Sequence, residues 1–333
     1  MDQLPIDTSL PAVREYIALV RLQVLTPLSL LINIACVATC AFVANPSISK
    51  VSKLYPTSIT PNIKVLGAYV AAIYLGQIGY CTLLVFTKRP ETKRAYVNAI
   101  GLFLPLANIF MALWAISWVM RWFLLCTILQ GLTLLLLLFS NIALLIYHPP
   151  VHSQPLGIAF MHAPLRFFLV LPFSILFELS LFIAIGLTYT PIGPGEPPRS
   201  YGSWHALAGF GVLLGTNLAS LLVIVTRTDL VWCAAATWVA VSIWTAQPKP
   251  APVYITALTF TVLHPLAFIT SLVWRRFCSP SRQNRAIVLP GDEAGHPALY
   301  GSTQAGGGTG TINGARAAEL ERGPREVEDE TWG

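Results

Sequence analysis

Runs of about 20 apolar residues recur eight times, near 20–43, 63–86, 96–120, 123–147, 167–189, 206–225, 230–246 and 253–274. Wound as a helix, each run matches the hydrocarbon thickness of a bilayer. Lipid offers no water to backbone N–H and C=O groups, so each run must close its hydrogen bonds within itself. The expected fold is therefore all-α, an integral membrane helical bundle of about eight spans. Charged residues make up only 11% of the 333 positions and hydrophobic residues 55%, whereas a water-soluble domain carries about 25% charged residues.

The domain reading follows from the same pattern: residues 1–274 form the membrane domain and 275–333 a disordered cytosolic tail. That tail contains AGGGTGTINGA (305–315) and the acidic end EVEDE (326–330), a composition that buries too little apolar surface to order itself. The seventh run, 230–246, is the weakest, being short and rich in Ala and Trp, so seven spans is the alternative count. The first run is long for the core of a cleaved signal and reads as an uncleaved span, although Thr39-Cys40-Ala41 resembles a weak cleavage site.

The formal net charge is +6. The cations lie in short clusters beside the apolar runs, a pattern that encodes topology rather than nucleic-acid binding. One side receives Arg14, Arg21, Lys88, Arg89, Lys93, Arg94, Arg166, Arg227, Arg275, Arg276, Arg282 and Arg285. The other receives Lys50, Lys53, Lys64, Arg121, Arg199 and Lys249. Both termini are therefore expected in the cytosol, with loops 45–62 and 190–203 opposite. Five of the six cysteines fall inside spans, and Cys278 is either a palmitoylation site or a plain juxtamembrane thiol.

Strongly polar side chains recur inside the spans: Asn33, Gln77, Asn98, Asn108, Gln130, Asn141, Glu178, Asn217 and His264. An amide in hydrocarbon is normally turned toward another helix, either as glue between helices or as a ligand contact. Glu178 stands apart because burying its ionised form is much more costly. Counted along their runs, Glu178, His264 and Asn217 all fall near mid-depth. Pro172 and Pro265 interrupt the helices nearby, and Ser174 lies one turn before Glu178. Glu178, His264, Asn217 and Ser174 are thus the candidate intramembrane polar site, for a ligand or a proton. The alternative is a carboxyl hydrogen-bonded between helices with no ligand at all.

Other motifs are sparse. HPPVH (148–152) spaces two histidines four apart, but Pro149-Pro150 breaks the helix that a metal box needs. No phosphate-binding, zinc-hydrolase or serine-hydrolase motif is present. No metal, cofactor or catalytic residue is expected, and the chain reads as a non-enzyme. Gly211, Gly215 and Ala219, and likewise Ala68, Ala72 and Gly76, form small-residue stripes expected to be seams within the chain, the alternative being dimer interfaces. Trp114, Trp118, Trp122, Trp204 and Trp274 lie near span ends, as interfacial belts do. Trp232, Trp238 and Trp244 either line a pocket or meet lipid.

NPSISKVSKLYPTSITPNIKVLGAYVAAIYLGQIGY (45–80) and NIFMALWAISWVMRWFLLCTIL (108–129) resemble a fungal family of multi-spanning membrane proteins. The shared features are Thr60-Pro61, Tyr74, Gln77-Ile78-Gly79-Tyr80, Asn108 and Leu113-Trp114. More remotely, the same order of features resembles the TspO/MBR family of tryptophan-rich sensory or translocator proteins. That resemblance implies a five-helix core over spans two to six and association with porphyrins, sterols or other apolar ligands. A Trp common four residues before that family's Tyr is Val70 here, and no binding residue is carried over.

The expected role is binding or moving a small apolar or amphipathic molecule in the lipid bilayer. A proton-coupled transporter using Glu178 and His264, or a non-catalytic organising protein whose tail recruits partners, are the alternatives.

Overall fold

The computed structural model describes residues 11–86, 100–147, 158–189 and 203–277. Every regular element among them is helical. Helix α1 (Pro11–Ala38) runs on through a π-helical turn, Thr39–Val43, to a short α2 (Ile48–Leu54). Then come α3 (Ile63–Phe86), α4 (Phe103–Val119) and α5 (Phe123–Tyr147). A second π-helical turn, Ile158–His162, leads into α6 (Ala163–Leu171), and a third, Pro172–Leu176, joins it to α7 (Phe177–Ala184) as one continuous span. The remaining helices are α8 (Ser203–Arg227), α9 (Leu230–Trp244) and α10 (Ala251–Phe277).

Six of these helical stretches are long and apolar enough to cross a membrane, and α4 and α9 are shorter apolar helices. The protein is a multi-pass membrane helical bundle. Although α9 has only 15 residues, about 22 Å, it joins the two ends of the bundle. At one end Asp229, just before α9, pairs with Arg166. At the other the Ser242 carbonyl accepts from the Asn62 backbone N–H at 2.6 Å.

Two chain reversals are built by local rules. Only Met120, Arg121 and Trp122 separate α4 from α5. Arg121 takes a left-handed φ of 64°. Its N–H donates to Trp118 O, and the N–H of Trp122 donates to Ser117 O, which closes α4 with a Schellman motif. Helix α7 ends in the same way, with Gly186 at φ 80° and Leu187 N–H donating to Phe182 O at 2.8 Å. Glycine adopts that conformation without a Cβ penalty.

The α6–α7 span is the centre of the bundle. It is 67% buried inside the protein, against 28–39% for the other five long spans. Around it pack α3, α5 and α9. Helices α1 and α4 close one side, α8 and α10 the other. The Pro172 ring removes an N–H donor, and the chain widens there into its π-helical turn. Pro265, by contrast, sits inside an uninterrupted α10.

The sequence reading needs correction in four places. The fifth span runs over Phe160–Ala184, earlier than 167–189, because Arg166 lies inside it rather than at its entrance. Its side chain is only 10% exposed and meets Asp229 at 2.5 Å, so its charge is matched within the protein. Glu178 therefore lies about six residues past the middle of its span, roughly 9 Å from mid-depth. His264 falls in the middle of α10. The stripe Gly211, Gly215 and Ala219 is exposed on α8, and a Cβ at either glycine would meet nothing within 4 Å; it is no internal seam. In the other stripe only Gly76 closes tightly, against Pro164. Finally, α10 extends through Phe277, past the expected start of the tail. HPPVH, Asn98, Cys278 and the rest of the tail lie outside the described residues.

Candidate functional site: an apolar cavity between five helices

A cavity of about 650 Å³ opens between the end of α1, α2, the first half of α3, α4 and α7. On α3 its wall is a stripe at helical spacing: Ile63, Leu66, Gly67, Val70 and Tyr74. Helix α4 contributes Met111, Trp114 and Trp118, one face at i, i+3 and i+7. Leu176 and Leu179 supply the wall from the central span, Val37 that from α1, and Ala41 and Phe42 that from the π-helical turn after it. The few polar side chains, Ser49, Ser52 and Lys64, belong to α2 and the first turn of α3.

The two tryptophans are fixed by their polar tips. Trp114 Nε1 donates to Ser180 Oγ at 3.3 Å, and Trp118 Nε1 donates to the Ile48 carbonyl at 3.4 Å. Their rings lie 5.5 Å apart, and both are buried. A buried indole with its N–H satisfied is held in one rotamer, so this part of the wall is preformed.

Behind Tyr74 runs a chain of buried amides. Tyr74 OH donates to Asn33 Oδ1 at 3.2 Å. Asn33 Nδ2 donates to Asn108 Oδ1 at 2.9 Å, and Asn108 Nδ2 to Gln77 Oε1 at 2.8 Å. This ties α1, α3 and α4 together and backs the Tyr74 hydroxyl, on the cavity wall, with a polar network. Asn141 and Asn217 do not work this way. Each donates to a carbonyl one turn back on its own helix, Leu137 O and Leu213 O respectively.

At the rim, residues 56–62 are tied to three distant segments. Tyr189 N–H donates to Pro56 O at 2.9 Å, and Asn62 N–H to Ser242 O. Lys249 Nζ donates to Ser58 O at 3.0 Å and to Thr60 O at 2.5 Å. Burial of this amine without a carboxylate among the described residues pushes its pKa down to about 7. Pro61, in the same loop, lines the cavity.

The four residues singled out from the sequence are placed elsewhere. His264 is fully buried, and its Nε2 meets the Asn217 backbone carbonyl at 3.4 Å; those two residues come together across α8 and α10. Glu178 is buried, and its Oε2 has no hydrogen-bond partner among the described residues. No hydrogen bond links it to His264 or Asn217, and its helix packs mainly on α5. Ser174 is half-buried. None of the four lines the cavity.

Sequence reasoning placed Trp114 and Trp118 in an interfacial belt, whereas they are cavity walls. The signal was available in the i, i+3, i+7 spacing of Met111, Trp114 and Trp118, inside a segment already singled out for its resemblance. Trp122, Trp204 and Trp274 are exposed, as belt residues are. Trp238 packs edge-on against Tyr69 and donates to Val65 O at 3.1 Å, so it fills a seam between α9 and α3.

No curated protein and no solved structure matches the chain. A family model described as TSPO-like protein matches residues 22–270, from within α1 to within α10, and so reaches beyond the five spans expected to form the core. The chain belongs to the TSPO-like protein family.

Proposed function

We propose that this protein binds, or moves across the bilayer, a small apolar or amphipathic molecule held in the cavity, without catalysis. The observation that carries this reading is the cavity itself. Its volume, about 650 Å³, falls within the range of roughly 300–1,000 Å³ typical of small-molecule sites. Its walls are apolar and aromatic, with the Tyr74 phenol available to orient a ligand. Both termini face the cytosol in this reading, so the cavity's polar rim lies on the opposite side.

Ligand-dependent thermal stabilisation of the purified protein, compared with Gly67→Leu, tests it. A Cβ at Gly67 meets nothing within 4 Å, so the leucine enters cavity space without pressing on backbone. Replacing a helical glycine also raises intrinsic helix stability, by up to about 1 kcal/mol. The variant should therefore fold at least as well as wild type yet lose stabilisation by apolar ligands. An unchanged ligand response in Gly67→Leu would place binding elsewhere.

Proton-coupled transport through Glu178 and His264 is a second reading. The buried Oε2 of Glu178, without a hydrogen-bond partner among the described residues, favours it. Proton flux in liposomes, lost in Glu178→Gln, is the result that would raise this reading above the first.

A further inference from the structure

We infer that the cavity selects single-chain amphiphiles with an anionic head, and that Lys64 reads the charge. This rests on the cavity reading above and narrows its ligand class. The cavity is charged at one end only, and its deep end offers just the neutral phenol of Tyr74. Lys64, Ser49 and Ser52 stand at the rim, and Tyr74, on the same wall, lies ten residues along α3, about 15 Å away. Met111, Trp114, Leu176 and Leu179 enclose the deeper part. A molecule filling this space therefore lies along the membrane normal, with its head at the surface and its chain among the helices.

Charge fixes the sign of the head. Lys64 is exposed; its backbone N–H donates to Asn62 Oδ1 at 3.1 Å, while its ammonium has no hydrogen-bond or ion-pair partner among the described residues. Lys50, Lys53 and Lys249 lie at the same end of the bundle, and the described residues outside the helices there include no Asp or Glu. Lys64 also sits in the first turn of α3, where the helix dipole favours an anion beside it. A carboxylate or phosphate at the rim meets a free ammonium and two serines, whereas a cationic head meets repulsion. A fatty acid and a lysophospholipid share this chemistry.

The test uses the full chain in phosphatidylcholine nanodiscs, with equilibrium binding of oleate, oleyl alcohol, oleylamine and oleoyl lysophosphatidate. Oleate should bind at least tenfold more tightly than oleyl alcohol. Lys64→Gln should bring oleate down to the level of the alcohol and leave alcohol binding within twofold, and Lys64→Glu should shift the preference to oleylamine. Lysophosphatidate binding more tightly than oleate would identify a phosphate head, and weaker binding a free acid; either supports the anion. Equal binding of oleate and oleyl alcohol, tighter binding of oleylamine by wild type, or a preference for oleate that survives Lys64→Gln overturns the inference while leaving the cavity reading intact. If no probe binds, the cavity reading fails with it.

Discussion

Arg166 and Asp229 meet at 2.5 Å, each almost wholly inside the protein. Asp229 does two jobs, since its Oδ1 also accepts from the backbone N–H groups of Val231 and Trp232 and so caps α9. Asp229→Asn separates the two roles, because Asn caps as well as Asp but carries no charge. Leaving Arg166 buried and unpaired should cost about 3–5 kcal/mol. Thermal unfolding in detergent measures this, and adding Arg166→Met to Asp229→Asn should recover part of the loss. A single variant as stable as wild type would show that the pair contributes nothing.

The amide chain behind the cavity should be sensitive to its middle member. Asn108→Leu leaves Asn33 Nδ2 and Gln77 Oε1 without partners, at about 1–2 kcal/mol in total. Asn141→Leu removes only a bond to its own helix and should change stability by less than about 0.5 kcal/mol. Paired unfolding measurements decide the matter, and equal costs would rule out an interhelical role for Asn108.

Glu178 offers a different contrast. Its Oε2 has no hydrogen-bond partner among the described residues, and replacing an unsatisfied buried polar atom relieves its desolvation cost, so Glu178→Gln and Glu178→Leu should both be at least as stable as wild type. A loss of about 1–2 kcal/mol in the leucine variant alone would reveal a bonded partner for the carboxyl.

Lys249 should make stability depend on pH. Its folded pKa lies near 7, below the ordinary value of 10.5, so between those values the unfolded chain holds more protons than the folded one. Stability therefore rises with pH across this window, by at most about 1.4 kcal/mol per unit, and is lowest below pH 7. Melting midpoints from pH 6.5 to 9 should climb in wild type and flatten in Lys249→Met. Parallel curves for the two proteins would assign the slope to another group.

Sidedness can be checked with a single cysteine at Ser47 in an otherwise cysteine-free chain. In sealed vesicles it should react only from the side opposite the termini, as should one at Lys53. Reaction of either from the cytosolic side would overturn the assigned orientation.

The all-helical membrane bundle was legible because hydrophobic length is a local property of each run. Arg166 was misread for the opposite reason. A lone cation in an apolar run looks like an entrance to the membrane, and the carboxylate that buries it is supplied from far along the chain. That single misplacement shifted the span and with it the depth assigned to Glu178. The cavity was illegible because Val37, Leu66, Met111 and Leu179 are the residue types that also face lipid; only their convergence from separate helices makes a site. The exposed stripe on α8 makes the same point, since small residues at four-residue spacing permit a close contact without requiring one.

The rim of the cavity also has a place in time. Residues 56–62 leave the ribosome well before the groups that hold them, Tyr189, Ser242 and Lys249, are made. Until α9 has been inserted and the segment leading into α10 has followed, the wall formed around Pro61 lacks two of its three anchors. Biogenesis therefore leaves this compartment ajar until the hairpin of α9 and α10 is in place.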